Sequence, residues 1–179
     1  MENKKEKKDF NLIILLANIA VTLIIFAVLF FVFNPVQKFK SARDAERWAD
    51  VSSIIKSLEQ YNKDNEEANL FKEIDGLYRE DWYMIVAGPK LKGCDDQNKF
   101  SDVEIFDDDY CLDFSVLIDK GYIGELPVSP EGGVNWDKGL SDKQTGTGYA
   151  FMIDEDNVIH IQSCESENTS EIQISKKIW

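Results

Sequence analysis

The chain has 179 residues, of which 44% are hydrophobic, and its 33 acidic side chains outnumber its 20 basic side chains, so the net charge is -13. Residues 1–9 and 34–50 each carry a net charge of +1, which leaves residues 51–179 with -15. Because an acidic domain repels phosphate backbones, this charge argues against a nucleic-acid partner.

The first element is an apolar run, in which no side chain from Phe10 to Phe33 is charged. A helix of that length rises about 36 Å and exceeds the hydrocarbon core of a bilayer, which is about 30 Å thick. The run is longer than the apolar part of a signal peptide, and no small-residue cleavage site follows it. Residues 10–33 are therefore predicted to be a transmembrane helix. Residues 1–9 are predicted to be a cytoplasmic leader, because their lysines form the denser of the two flanking basic clusters.

Two polar residues interrupt the apolar run. Asn18 and Thr22 are four residues apart and therefore share one face of the predicted helix. That face is a candidate contact with a second membrane helix. The favoured interpretation is that each side chain is tolerated singly, with Thr22 bonding to the backbone of its own helix.

Residues 34–65 are predicted to continue the same helix as an amphipathic segment, and Pro35 marks either a kink in it or a break where the chain leaves the membrane. Apolar side chains in this segment recur at helical spacing and form one stripe, which needs a partner. The stripe consists of Val51, Ile54, Ile55, Leu58 and Tyr61, with Ala45 and Trp48 extending it backwards. We expect the C-terminal domain to cover it, and a helix of another subunit is the alternative. The solvated remainder of the helix is predicted to be Arg43, Asp44, Glu46, Arg47 and Asp50.

Residues 66–179 are predicted to form one extracytoplasmic globular head. A strand is predicted at WYMIVAG, and a helix in CLDFSVLIDKGYI that ends at Lys120-Gly121. The segments GYAFMID, NVIHIQS and EIQISKKIW predict three antiparallel strands, with a tight turn at Glu155-Asp156. The expected fold class is α+β, in which a long N-terminal transmembrane and amphipathic helix packs on a small antiparallel sheet.

Candidate sites in the head are few. Cys94 and Cys111 are a candidate disulfide that would close an acidic, loop-rich segment, and three free thiols are the alternative. Asp154 and Asp156 are candidate calcium ligands, although a solvated hairpin turn is favoured. A zinc site is not expected, because there is no C-x-x-C pair and the only histidine is His160, which is interpreted as a packed or edge residue. No catalytic motif or cofactor motif is present, so we expect a non-enzymatic protein without a cofactor.

Several segments occur in an order that resembles bacterial type IV pilin-like proteins, including the pseudopilins of type II secretion. They are the apolar helix, then NPVQKFKSARDAERWADVSSIIKSLEQYNKD, YCLDFSVLIDKGYIGELPVSP and TGTGYAFMIDEDNVIHIQSCESENTSEIQI. Together they cover most of the chain except about residues 66–105. The resemblance implies a pilin-like fold and a single-pass protein of the inner, cytoplasmic membrane, with its N-terminus in the cytoplasm and its head outside.

The resemblance also implies the partners, which are other pilin-like subunits or a membrane assembly platform. Such subunits stack by their N-terminal helices into a cell-surface filament or a secretion pseudopilus. The implied assembly residues are Asn18, Pro35, Trp48 and the stripe from Val51 to Tyr61.

The peptidase site of the family is a glycine before an aromatic residue, followed by Thr-Leu-Ile-Glu. Phe10 matches the aromatic residue, but Asp9 stands in place of the glycine and Ile14 in place of the glutamate. Glycine gives a protease close access to the backbone, and the glutamate pairs with the amino terminus of the neighbouring subunit. We therefore expect a chain that is uncleaved and retained in the membrane.

The alternative function is a signal-anchored extracytoplasmic domain that binds a ligand or partner as a monomer. For a filament subunit, Asn18→Leu or Ile54→Asp is expected to abolish assembly and to leave the head folded.

Overall fold

A computed structural model describes residues 12–65, 77, 79–87, 102–105, 111–130 and 146–177. The helices are α1 (Leu12–Phe33), α2 (Pro35–Asp64) and α3 (Ser115–Asp119). The strands are β1 (Tyr83–Val86), β2 (Leu112–Asp113), β3 (Tyr149–Ile153), β4 (Val158–Ser163) and β5 (Gln173–Lys177). The chain divides into two compact units, Met1–Lys38 and Phe39–Trp179.

Helix α1 is long enough and apolar enough to cross a membrane. Its side chains from Leu12 to Val32 are exposed, as expected for a helix whose solvent is lipid. The hydroxyl of Thr22 donates to the carbonyl oxygen of Asn18 at 2.8 Å, so this side chain is satisfied within its own helix, as the favoured interpretation predicted. The length and composition of α1 support single-pass anchoring in a membrane.

A local break separates α1 from α2 at Asn34, whose φ is 32°. The carbonyl oxygen of Asn34 accepts the first hydrogen bond of α2, from the N–H of Gln37 at 3.1 Å. Pro35 then occupies the first position of α2, where its fixed φ suits a helix and its missing N–H costs nothing. The helix is therefore interrupted at Asn34, beside Pro35, as both alternatives for Pro35 predicted.

The sheet of the head has five strands in the order β2-β1-β3-β4-β5. Strands β3, β4 and β5 form the expected antiparallel ladder, and β3 and β4 are joined by the expected turn. Strand β1 pairs with β3 antiparallel and with β2 parallel. The prediction of a purely antiparallel sheet is therefore wrong, and the sheet is mixed.

Strand β2 lies within the segment in which a helix was predicted, at Leu112–Asp113. The N–H of Phe114 donates to the carbonyl oxygen of Val86 at 2.8 Å, which continues the contact with β1. The N–H of Ser115 donates to the carboxylate of Asp113 at 2.8 Å, and only there does α3 begin. The predicted end of this helix is confirmed, because Gly121 follows it with a φ of +78°.

The main core of the head lies between α2 and one face of the sheet. It contains the buried side chains of α2 between Val51 and Tyr61. From the rest of the head it contains Phe114, which lies between β2 and α3, and strand residues such as Phe151 and Ile161. A second apolar cluster around Met84, Ala150 and Cys164 lies elsewhere in the head. At its C-terminal end, α2 is held by ring contact between Tyr61 and Tyr122, with ring centres 5.4 Å apart.

Candidate functional site

The buried face of α2 differs from the prediction at its N-terminal end. The five residues Val51, Ile54, Ile55, Leu58 and Tyr61 are buried as predicted. Ala45 is exposed and Trp48 is 39% exposed, so neither extends the buried stripe. The stripe continues instead through Arg47 and Asp44, which are four and seven residues before Val51 and were predicted to be solvated.

Arg47 is the largest fully buried side chain of the head, with 0% exposure. Its guanidinium donates at 2.9 Å to the carboxylate of Asp44 and at 3.1 Å to that of Glu167. It also donates at 3.1 Å to the hydroxyl of Ser129 and at 3.1 Å to the carbonyl oxygen of Pro130. The carboxylate of Glu165 lies 3.6 Å away. One side chain of α2 thus joins the segments around residues 129 and 166.

Asp44 binds the second of these segments through its backbone. Its carboxylate accepts the N–H groups of Glu167 at 3.1 Å and of Asn168 at 2.7 Å. Arg43, one residue earlier, forms a two-pronged ion pair with Glu167 at 2.6 Å and 2.5 Å. We call Arg43, Asp44, Arg47, Ser129, Glu165 and Glu167 the charged clamp.

The clamp changes the acidity of its members. The hydrogen bond from Arg43, assisted by that from Arg47, lowers the pKa of Glu167 to about 2. The same contact with Glu167 raises the pKa of the Arg43 guanidinium. Both residues are therefore charged over the whole physiological pH range.

A further polar contact adjoins the clamp, where the hydroxyl of Tyr149 donates to the carboxylate of Asp50. Burial, with the hydrogen bond to Asp50 adding to it, raises the pKa of Tyr149, so the phenol stays protonated. Burial also raises the pKa of Asp50, and the hydrogen bond from Tyr149 opposes that shift. The contact joins α2 to β3 one turn beyond Arg47.

This arrangement can fix α2 against the head, because its hydrogen bonds join the helix to two segments far away in the sequence. Two cations face three carboxylates within it, and the guanidinium of Arg47 donates four hydrogen bonds to protein acceptors. Throughout the part of the chain that is described, no group of three or more His, Cys, Asp and Glu side chains could hold a metal ion.

The other predicted site residues do not meet at the clamp. Asp9, Phe10 and Cys94 lie outside the described residues, while Cys111 is disulfide-bonded and Cys164 is a buried thiol. With three cysteines in the chain, these states are those expected if Cys94 pairs with Cys111, and the pairing itself stays a prediction.

The calcium candidates at the β3–β4 turn are engaged by protein or exposed. The carboxylate of Asp154 contacts His160 at 3.0 Å and accepts the N–H of Val158 at 2.7 Å, whereas Asp156 is exposed. These contacts join the turn to β4, and the calcium site itself stays a prediction. His160 is partly buried and hydrogen-bonded on β4.

Comparison with known proteins assigns no family. No protein-family model, no curated protein and no solved structure matches this chain.

Proposed function

We propose that this protein is a pilin-like structural subunit of a cell-envelope filament or secretion assembly, uncleaved and retained in the membrane. One observation carries the proposal. A 22-residue apolar helix is followed, after a single residue, by a 30-residue helix whose distal half forms the core of a small head. A subunit that assembles through its helices needs both a lipid-soluble segment and a firm attachment of the following segment to its head.

The charged clamp supports the proposal. Helix α2 is attached by an apolar contact from Val51 to Tyr61 and, nearer the membrane segment in sequence, by the contacts of Asp44 and Arg47. Two separate attachments along one helix resist both rotation and sliding of the helix against the head. A load applied along the helix of an assembled subunit would act on these contacts.

Exposed apolar side chains of α2 offer contacts that such an assembly needs. Trp48 is 39% exposed and Phe39, which lies nine residues earlier and so on the opposite side of the helix, is 66% exposed, although both are large and apolar. Exposed apolar side chains on a helix are common features of contacts between chains. Within an assembly we assign them to contacts with neighbouring subunits, as the resemblance implies for Trp48.

Photo-cross-linking of the full-length protein in its native membrane tests the proposal. A photoreactive p-benzoylphenylalanine in place of Trp48 is expected to give a ladder of multimers after irradiation. The same group in place of Val128, an exposed apolar position outside α2, is the control and is expected to leave the monomer predominant. Asn18→Leu in the Trp48-substituted protein is expected to weaken the ladder.

Monomer at both positions would contradict the proposal. It would favour the alternative, a signal-anchored extracytoplasmic domain that binds a ligand or partner as a monomer. A product of one discrete larger mass at either position would identify a different partner chain and would also favour that alternative.

A further inference from the structure

A row of polar side chains lies on the sheet face that points away from α2. His160 on β4 is the direct cross-strand partner of Ser175 on β5. Its neighbours Ile159 and Ile161 point to the opposite face and belong to the main core. Asp154, just after the end of β3, reaches the same imidazole from the β3–β4 turn.

The hydrogen bonds of this row have a consistent direction. The N–H of Val158 donates to Asp154 Oδ1 at 2.7 Å, and Asp154 Oδ2 lies 3.0 Å from His160 Nε2. An ionised carboxylate only accepts hydrogen bonds, so in a neutral imidazole the tautomer that suits Asp154 has its proton on Nε2 and a lone pair on Nδ1. Nδ1 lies 2.7 Å from Ser175 Oγ, so the lone pair can accept the hydroxyl proton. The side-chain nitrogen Nε2 of Gln173 donates a hydrogen bond to Ser175 Oγ at 3.0 Å. The same nitrogen lies 3.0 Å from His160 Nδ1.

The surroundings suit a nucleophile that must meet a substrate. The Ser175 contact is exposed, whereas the side chains of His160 and Asp154 are 15% and 20% exposed. The hydrogen bond from His160 lowers the pKa of Asp154, which keeps its carboxylate ionised. The ring of Trp82 stands edge-on to the imidazole, with ring centres 6.4 Å apart, and Met152 is its other cross-strand neighbour. These two residues give an apolar surface on the β3 side of the imidazole, opposite to the side on which Ser175 lies.

We propose that Ser175, His160 and Asp154 form a nucleophilic site that accepts acyl groups from small carboxylic esters. The three roles are those of a serine nucleophile, a general base and a group that orients the base, which are recognised by geometry and not by sequence order. The site is separate from the charged clamp, and it does not depend on the proposed assembly function.

The reaction is balanced with water as the only co-reactant. As Ser175 Oγ bonds to the acyl carbon, its proton moves to His160 Nδ1. The ester C–O bond then breaks, and the leaving alcohol takes that proton. Water attacks the acyl-serine and gives a proton to Nδ1, which returns it to Ser175 Oγ as the carboxylic acid leaves. The N–H of Gln173 is placed to donate to oxygen charge that develops beside the nucleophile.

The test uses the full-length protein in detergent, with a fluorophosphonate probe and with p-nitrophenyl acetate. Labelling is expected at Ser175, identified by peptide mass spectrometry, and Ser175→Ala should abolish both labelling and ester hydrolysis. His160→Gln should slow labelling at least ~100-fold, as expected for loss of a general base. Ser166→Ala is the matched control, because this serine donates to Asp102 and not to an imidazole, and it should label at the wild-type rate.

The pH profile separates a catalytic role of His160 from a structural one. Wild-type labelling should be faster than that of His160→Gln near neutral pH, because only the wild-type protein has an imidazole that can accept the hydroxyl proton. In His160→Gln the labelling rate should depend on hydroxide alone, so the two pH profiles should differ in shape. Absence of labelling in the folded wild-type protein, or equal labelling of Ser175→Ala, would overturn the proposal and leave the row as a hydrogen-bonded link between strands. Near-ultraviolet circular dichroism checks that each variant is folded.

Discussion

The two halves of α2 hold the same head by opposite means. From Val51 to Tyr61 the helix contributes apolar side chains to the core, whereas from Arg43 to Arg47 it contributes charges to the clamp. Apolar burial is non-directional and supplies stability in proportion to the area removed from water. A buried ion-pair network needs each partner in place, and its net contribution is smaller than the cost of breaking it. We infer that the apolar half supplies most of the stability, and that the clamp fixes one position of the helix.

Among the predicted changes, Ile54→Asp in the apolar half of α2 should cause the largest loss in the unfolding free energy of the head. Ile54 has 0% exposure inside the core, so the substitution would bury a carboxylate without a partner and cost ~5 kcal/mol or more. The head should therefore be unfolded. This replaces the sequence-based expectation that the variant spares the head, because Ile54 lies in the core of the head.

Tryptophan fluorescence and near-ultraviolet circular dichroism of the full chain in detergent measure this effect. Lys56→Asp, two residues away on the exposed side of α2, is the matched control and should retain the folded signal. A cooperative, native-like unfolding transition in Ile54→Asp would contradict the apolar role of this half.

Arg47→Met should have the second largest effect. It keeps a long apolar stem but leaves the buried carboxylate of Asp44 without its cation, at a cost of ~3–5 kcal/mol, while Glu167 keeps its ion pair with Arg43. Adding Asp44→Asn to this variant should recover part of the loss, because the unpaired carboxylate is then neutral. Urea denaturation of both single variants and the double variant gives the coupling free energy, expected at ~1–3 kcal/mol. Additive effects would show that the clamp does not act as a unit.

The difference between the halves also explains what the sequence could predict. Helical spacing of apolar residues identified the Val51–Tyr61 stripe, because hydrophobicity and burial coincide there. The same criterion selected Trp48 over Arg47, since charge is normally a sign of exposure. The burial of Arg47 depends on acceptors about 80 and 120 residues away, at Ser129 and Glu167, which no local pattern contains. Arg47 and Asp44 lie four and seven residues before Val51, which is the spacing of the buried stripe. This spacing was the only feature of the sequence that indicated their burial.

Long-range pairing explains the remaining errors in the fold. The segment from Cys111 to Phe114 has apolar residues at helical spacing, yet its backbone bonds to β1, about 27 residues earlier. The hairpin of β3 and β4 was predictable because its strands are adjacent and its turn is local. The contacts among Asp154, His160 and Ser175 depend on how β3, β4 and β5 are aligned. From the sequence alone, only a single histidine within a predicted strand could be recognised.

Acidification should weaken the clamp while leaving the apolar half intact. The pKa of Glu167 is lowered to about 2 from an ordinary value of 4.5, so its contribution is complete above pH 4.5 and is lost as the pH falls towards 2. The expected loss in unfolding free energy is ~2 kcal/mol after allowance for solvent screening. Denaturation midpoints measured at steps from pH 6 to pH 2 give the slope. Glu167→Gln should flatten this slope, and an equal slope in both proteins would assign the acid sensitivity to other carboxyls.

Trp48→Ala should have the smallest effect on the stability of the head. The matched comparison is Leu58→Ala, which removes a smaller side chain from the same helix. Trp48 is 39% exposed, so its truncation should change the unfolding free energy by less than ~0.5 kcal/mol, as for ordinary surface substitutions. Leu58 is fully buried, and Leu58→Ala should cost ~2–5 kcal/mol because it leaves a cavity. Urea denaturation of both variants in detergent measures the contrast. Equal losses would show that the buried face of α2 includes Trp48.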